Sequence, residues 1–186
     1  MKKIIVLFGL ALMLFTGCSN SDGTVKGDTG LNGLNDTPGS ENTGTEQTSP
    51  EGFAYVHQDT TIPMNVDAAP IVEELGEPAD YFEAASCAFQ GLDKIFYYNG
   101  FEVGTYPNGD TDMISYVNLL DDTVTTDQGI YLGSTLADMK AAYGEDYTNE
   151  GTAYIYRKGE TKLTFIVEND AVTQITYAAV VEGLNN

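Results

Sequence analysis

The chain has 186 residues, enough for one domain of ordinary size with flanking segments, and its formal charge of −20 excludes nucleic-acid backbones and anionic lipid headgroups as electrostatic partners. Two cysteines, Cys18 and Cys87, and one histidine, His57, leave no material for a disulfide framework or a histidine-rich metal site. An acidic surface favours solubility and basic or cationic partners.

In chain order, Met1-Lys2-Lys3 forms a positive start, and residues 4–15 are apolar but too few to span a bilayer. Small Gly17 then precedes Cys18. This pattern is an export signal. Its end, Leu14-Phe15-Thr16-Gly17-Cys18, resembles the bacterial lipobox, with Phe15 standing where that family places Leu, Val or Ile. The resemblance implies a signal peptide over 1–17 and lipidation of Cys18 by a thioether-linked diacylglycerol, with or without an amide-linked chain such as palmitate. Each buried methylene contributes about 0.8 kcal/mol, so two or three acyl chains hold a protein on a membrane where one is marginal. The expected location is the extracytoplasmic face of a cell membrane, with a Gram-positive-type surface favoured.

Cys18 and the linker that follows it span 18–51. Residues 19–51 hold no aromatic side chain and are rich in Gly, Asn, Asp, Thr and Ser. Such a segment cannot bury enough surface to offset its ordering entropy, and its expected root-mean-square reach is about 30 Å. Composition changes at Gly52-Phe53, and all 12 tyrosines lie beyond it. A globular domain is therefore expected over 52–186, at about 135 residues near the common domain size. Losing Lys2 and Lys3 with the signal, which holds no acid, takes the formal charge from −20 to −22.

Within the domain, residues 67–76 align without a gap on residues 135–144. Thr135 suits a helix N-cap, with Asp138 at the third position of a capping box and Gly144 at the end; Asp67, Pro70 and Gly76 suit the first copy. Ala68, Ile71, Val72 and Leu75 correspond to Leu136, Met139, Ala142 and Tyr143 on one helical face. Strands are expected over 94–98, 101–106 and 113–119, with Asn99-Gly100 as a hairpin turn, and over 153–157, 161–168 and 171–179. A long connection over 77–93 and further edge strands over 53–56 and 129–132 complete the expectation. The fold class read from this pattern is α+β: two tandem helix-plus-antiparallel-strand repeats, 52–122 and 123–186.

Leu132-Gly133-Ser134-Thr135, Tyr143-Gly144-Glu145 and Ile155-Tyr156-Arg157-Lys158-Gly159 resemble elements of the fold shared by beta-lactamase inhibitor protein and the SmpA/OmlA outer-membrane-assembly lipoproteins. Ser86-Cys87-Ala88-Phe89 and Gly129-Ile130-Tyr131-Leu132-Gly133 are similar to elements of uncharacterised lipoproteins of Gram-positive gut anaerobes. The resemblance implies protein binding, although fold alone does not carry function.

Chemistry-bearing groups are sparse. A Cys87/His57 dyad is conceivable, but Cys87 between Ala85 and Phe89 reads as a buried small hydrophobe. The acidic pairs Glu73-Glu74, Asp121-Asp122 and Glu145-Asp146 are sequence neighbours, which point apart, whereas acid/base catalysis needs carboxylates facing across a pocket. Residues 108–112 place oxygen ligands like the start of a calcium loop, but Met113 and Leu119 stand at its sixth and twelfth positions. A hairpin turn accounts for the segment. No catalytic residue, metal or cofactor is expected. The candidate binding surface is aromatic, Phe96, Tyr98, Tyr106, Tyr154 and Tyr156, on a sheet face left open. The expected function is non-catalytic binding of a protein or small ligand by a membrane-moored module; the alternatives are an envelope-assembly accessory or a hydrolase of wall or dietary glycans.

Overall fold

A computed structural model describes residues 51–184. The expected signal peptide, Cys18 and the expected linker up to residue 50 lie outside the described residues. In chain order the elements are β1 (Ala54–His57), β2 (Thr60–Pro63), α1 (Ala68–Leu75), β3 (Asp80–Ala85), β4 (Leu92–Tyr97), β5 (Phe101–Asn108), β6 (Thr111–Leu119), α2 (Leu136–Tyr143), β7 (Thr148–Glu150), β8 (Ala153–Lys158), β9 (Thr161–Glu168) and β10 (Ala171–Ala179).

This architecture overturns the α+β expectation of two tandem helix-plus-strand repeats. The described residues are mostly β: a two-stranded ribbon, β1-β2, and one eight-stranded antiparallel sheet in the order β3-β4-β5-β6-β10-β9-β8-β7, with two helices of 8 residues each. Two stretches without alternating hydrophobicity account for the difference. The supposed connection over 77–93 contains β3, which pairs with β4 from Asp80↔Tyr97 to Ala85↔Leu92, and polar Thr148–Glu150 forms β7 against β8. The sheet is continuous because β6 and β10 pair directly, Leu119 opposite Ile175 and Val117 opposite Tyr177. Residues 129–132, expected as an edge strand, form a turn: Gly129 has φ 80°, and the Ile130 N–H donates to Thr126 Oγ1 at 3.0 Å.

The helices form where their caps require. Asp67 accepts the Ala69 N–H at 2.9 Å, and Thr135 and Asp138 make a reciprocal capping box. Gly144 at φ 80° ends α2, with its N–H donating to the Lys140 carbonyl at 2.8 Å. Ala68 of α1 and Met139 of α2 are buried, and Ile71, Val72, Leu75, Leu136, Ala142 and Tyr143 pack around them.

These helices and the ribbon bury one face of the sheet, here termed the inner face. Register places Phe101 and Val103 of β5, Val117 and Leu119 of β6, Ile175 and Tyr177 of β10, and Leu163 and Phe165 of β9 side by side on it, all essentially inaccessible. Tyr55 of the ribbon lies on this floor, its ring 5.3 Å from Phe101 and 5.7 Å from Tyr177. The outer face therefore presents Ile95, Gly104 and Tyr116 at the same strand positions.

Candidate functional site

The five aromatics expected on an open face belong to the covered side or to the buried interior, a correction with a simple cause. Strand alternation says that neighbours face opposite ways, and the packing of the helices decides which way is covered. Tyr156 is buried between Tyr143 and Phe165, and its hydroxyl donates to the Gly144 carbonyl at 2.7 Å. Tyr154 is half-buried against Tyr147, with ring centres 5.0 Å apart. Half-buried Tyr98 stacks on Phe101 at 5.1 Å, and Phe96 meets Tyr81 at the same separation. Tyr106 is buried beside Phe89, its hydroxyl donating to Asn65 Oδ1. They form separate packing groups and no single patch.

The outer face carries a different feature. Gly104 of β5 sits opposite Tyr116 of β6, and a Cβ placed on it would lie 2.1 Å from Tyr116 Cε1, 2.3 Å from Cζ and 2.6 Å from Cδ1. Three atoms of one ring at these distances mean that the aromatic side chain lies across the glycine, which is why a glycine stands in the middle of this strand. Beside it the register slips, from Gly104↔Tyr116 to Thr105↔Ile114, so Ser115 is the extra residue of a β-bulge. Bulges redirect side chains, and this one sits at the floor of a cavity.

That cavity has a volume of about 370 Å³, within the range of small-ligand clefts, and lies where the β3–β4 loop and Gly183-Leu184 approach β4, β5 and β6. Cys87 and Ala88 line its loop side, and Asp93, Ile95, Thr105, Ser115 and Tyr116 line its sheet side. One of its groups is unsatisfied: Asp93 Oδ1 is shielded from solvent and has no hydrogen-bond partner, whereas Thr105, opposite Lys94 and Ile114 and next to outward Gly104, turns its side chain to the inner face. A buried polar atom without a partner costs about 1–3 kcal/mol, so a ligand that donates to it offsets that cost. Burial, reinforced by the nearby Glu102 carboxylate, raises the Tyr116 hydroxyl above its ordinary value and keeps it neutral. Lys94 also borders the cavity, but its ammonium is held by Asp112 at 2.7 Å. The lining thus offers a carboxylate oxygen and an aromatic ring, and its one cation is engaged by an acid.

Cys87, expected as a buried hydrophobe, is instead exposed, because its loop arches over the sheet and does not enter the core. His57 ends β1 with its ring 4.7 Å from Phe101 and lines another depression with Leu75, Glu77 and Tyr98, so histidine and thiol are not brought together. Residues 108–112 make the β5–β6 turn, with Gly109 at φ 63°, and among the described residues no three His, Cys, Asp or Glu converge as metal ligands. Gly104 in a strand interior was the available sequence signal for the cavity; Asp93 and Thr105 gave none. Comparison with known proteins finds no matching family model, no matching curated protein and no matching solved structure.

Proposed function

We propose that this chain is an extracytoplasmic, lipid-moored binding module without catalytic activity, and that the outer-face cavity is its ligand site, taking a small cationic group such as an alkylammonium. The observation that carries this reading is unsatisfied Asp93 Oδ1 at a cavity bordered by the Tyr116 ring. A cation donates a hydrogen bond to this oxygen and is attracted by the ring's π face, and the chain's charge of −20 raises its local concentration.

Asp93→Asn keeps the shape of the site and removes its charge. Titrated with butylammonium, this variant is expected to bind about 10- to 100-fold more weakly than the parent, which corresponds to a charge-assisted hydrogen bond. Butyrate, of similar length and opposite charge, is expected not to bind. Equal affinity of parent and Asp93→Asn would remove the ligand assignment.

The mooring rests on the lipobox resemblance at 14–18. In cells, Cys18→Ser is expected to shift the protein from the membrane fraction to the medium or the soluble extracytoplasmic fraction, because the proposed mooring rests on the acyl chains at Cys18. Fractionation with acyl-chain labelling checks this. Unchanged membrane retention of an unlabelled Cys18→Ser protein would contradict it.

A further inference from the structure

The two ends of the eight-stranded sheet are unlike. At one, β7 is 3 residues long, a length that offers a partner little to pair with. At the other, β3 runs 6 residues, Asp80-Tyr81-Phe82-Glu83-Ala84-Ala85, every one of them exposed and none a proline or lysine. Proline and lysine, two usual devices that blunt an edge, are missing from this strand, and the charges it carries, Asp80 and Glu83, are acidic.

The hydrogen-bonding direction of each residue follows from the ladder. The Ser86 N–H donates to the Gly91 carbonyl at 3.0 Å, and this pair continues the β3–β4 register. Antiparallel pairs alternate, so Ala84 and Phe82 turn their backbone groups toward β4, while Tyr81, Glu83 and Ala85 turn theirs outward. Three N–H and three C=O groups thus face away from the sheet, of which the Tyr81 N–H already donates to Asp80 Oδ1 at 2.8 Å. Around them lie large apolar side chains: Tyr81 is 43% exposed, Phe82 54%, and Leu92 of the adjoining strand 40%. The strand's charges are all negative, Asp80 and Glu83, and Glu83 Oε2 accepts only from the Tyr81 hydroxyl, at 2.5 Å.

We infer that the free edge of β3 accepts an extended, lysine- or arginine-bearing segment of a partner protein as a ninth strand of the sheet. Backbone pairing to Glu83 and Ala85, and to Tyr81 once its N–H leaves Asp80 Oδ1, supplies affinity, and the two faces, Asp80 with Phe82 and Tyr81 with Glu83, select for apolar and basic side chains on both sides of the segment. A second copy of the chain fits the edge less well. Antiparallel pairing of β3 with itself over all three outward residues sets Glu83 directly against Glu83, and each copy carries a charge of −20.

The test uses the mature chain and two blocked six-residue peptides, one with lysine, valine and threonine on both faces of the extended chain, the other with glutamate in place of lysine. The basic peptide is expected to slow amide exchange at Tyr81, Glu83 and Ala85 by about tenfold or more without affecting β7, and to lose this effect at high salt. Glu83→Pro removes an outward N–H that the fold does not use, so it should abolish the protection while leaving the circular dichroism spectrum unchanged. A charge-reversed Asp80→Lys/Glu83→Lys protein should prefer the glutamate peptide, a readout that a misfolded variant could not give. Equal binding of both peptides to the parent, protection confined to other strands, or a dimer of the free chain that Glu83→Pro dissolves would each overturn the proposal.

Discussion

Above pH 10 the protein is expected to lose stability steeply, as the tyrosines that form much of its core begin to ionise on unfolding. Tyr55, Tyr156 and Tyr177 are 1%, 4% and 1% exposed. Burial pushes Tyr55 and Tyr156 up to about 12 and Tyr177 higher still. In each case the folded value lies above the unfolded one of about 10, so the stabilisation is fully present below pH 10 and disappears as pH rises toward the folded value. At pH 11 the unfolded state gains about 1.4 kcal/mol per such residue, about 4 kcal/mol for the three, a large part of a typical domain's stability. Urea midpoints measured between pH 8 and 11, with tyrosinate absorbance followed in parallel, check this. Tyrosinate should appear together with loss of structure. Smooth ionisation of every tyrosine near pH 10 in a protein that stays folded would show that the aromatic core is wet.

Gly104→Val is expected to be the most damaging single change on the outer face. A Cβ at this position would sit 2.1 Å from the Tyr116 ring, and the branched side chain would extend further into it. Overpacking of this kind costs about 1–3 kcal/mol, and here it would also swing Tyr116 off the sheet and open the cavity wall. Thermal unfolding of Gly104→Val, Tyr116→Ala and the double variant forms a cycle that isolates the clash. Removing the ring should recover much of the cost in the Gly104→Val background, giving a coupling of about 1 kcal/mol or more. Strict additivity would mean that the ring does not rest on the glycine.

The parts of the fold legible in the sequence are those with a repeating physical demand. Both helices announce themselves by caps, Asp67 and Thr135 at the start and Gly76 and Gly144 at the end, and by one apolar face each. The inner strands show period-two alternation because one side is buried: Leu163, Phe165 and Val167 point inward, while Lys162, Thr164 and Ile166 alternate with them. Edge strands escape this logic. Every residue of β3 and β7 is exposed, so no face is selected and no alternation arises. The pairing of β6 with β10 depends on residues 58 positions apart, such as Asn118 and Thr176, and nothing local signals it. The aromatic site was misplaced for a related reason. Ile95, Phe96, Tyr97 and Tyr98 make clear that faces alternate, but only the arrival of α1 and the β1-β2 ribbon settles that Phe96 and Tyr98 lie beneath them. The cavity depends on the β-bulge at Ser115 and on a loop whose Cys87 lies 28 residues before Ser115, and no short motif encodes that juxtaposition.

Where a small cation settles decides whether the outer-face cavity is the ligand site. Amide and side-chain shifts of the isotopically labelled mature chain, followed during titration with butylammonium and separately with butyrate, measure this residue by residue. Saturable shifts are expected for the cation at Asp93, Ile95, Thr105 and Tyr116, with none for the anion. Shifts absent from those four residues, or equal for the two compounds, would contradict the ligand assignment.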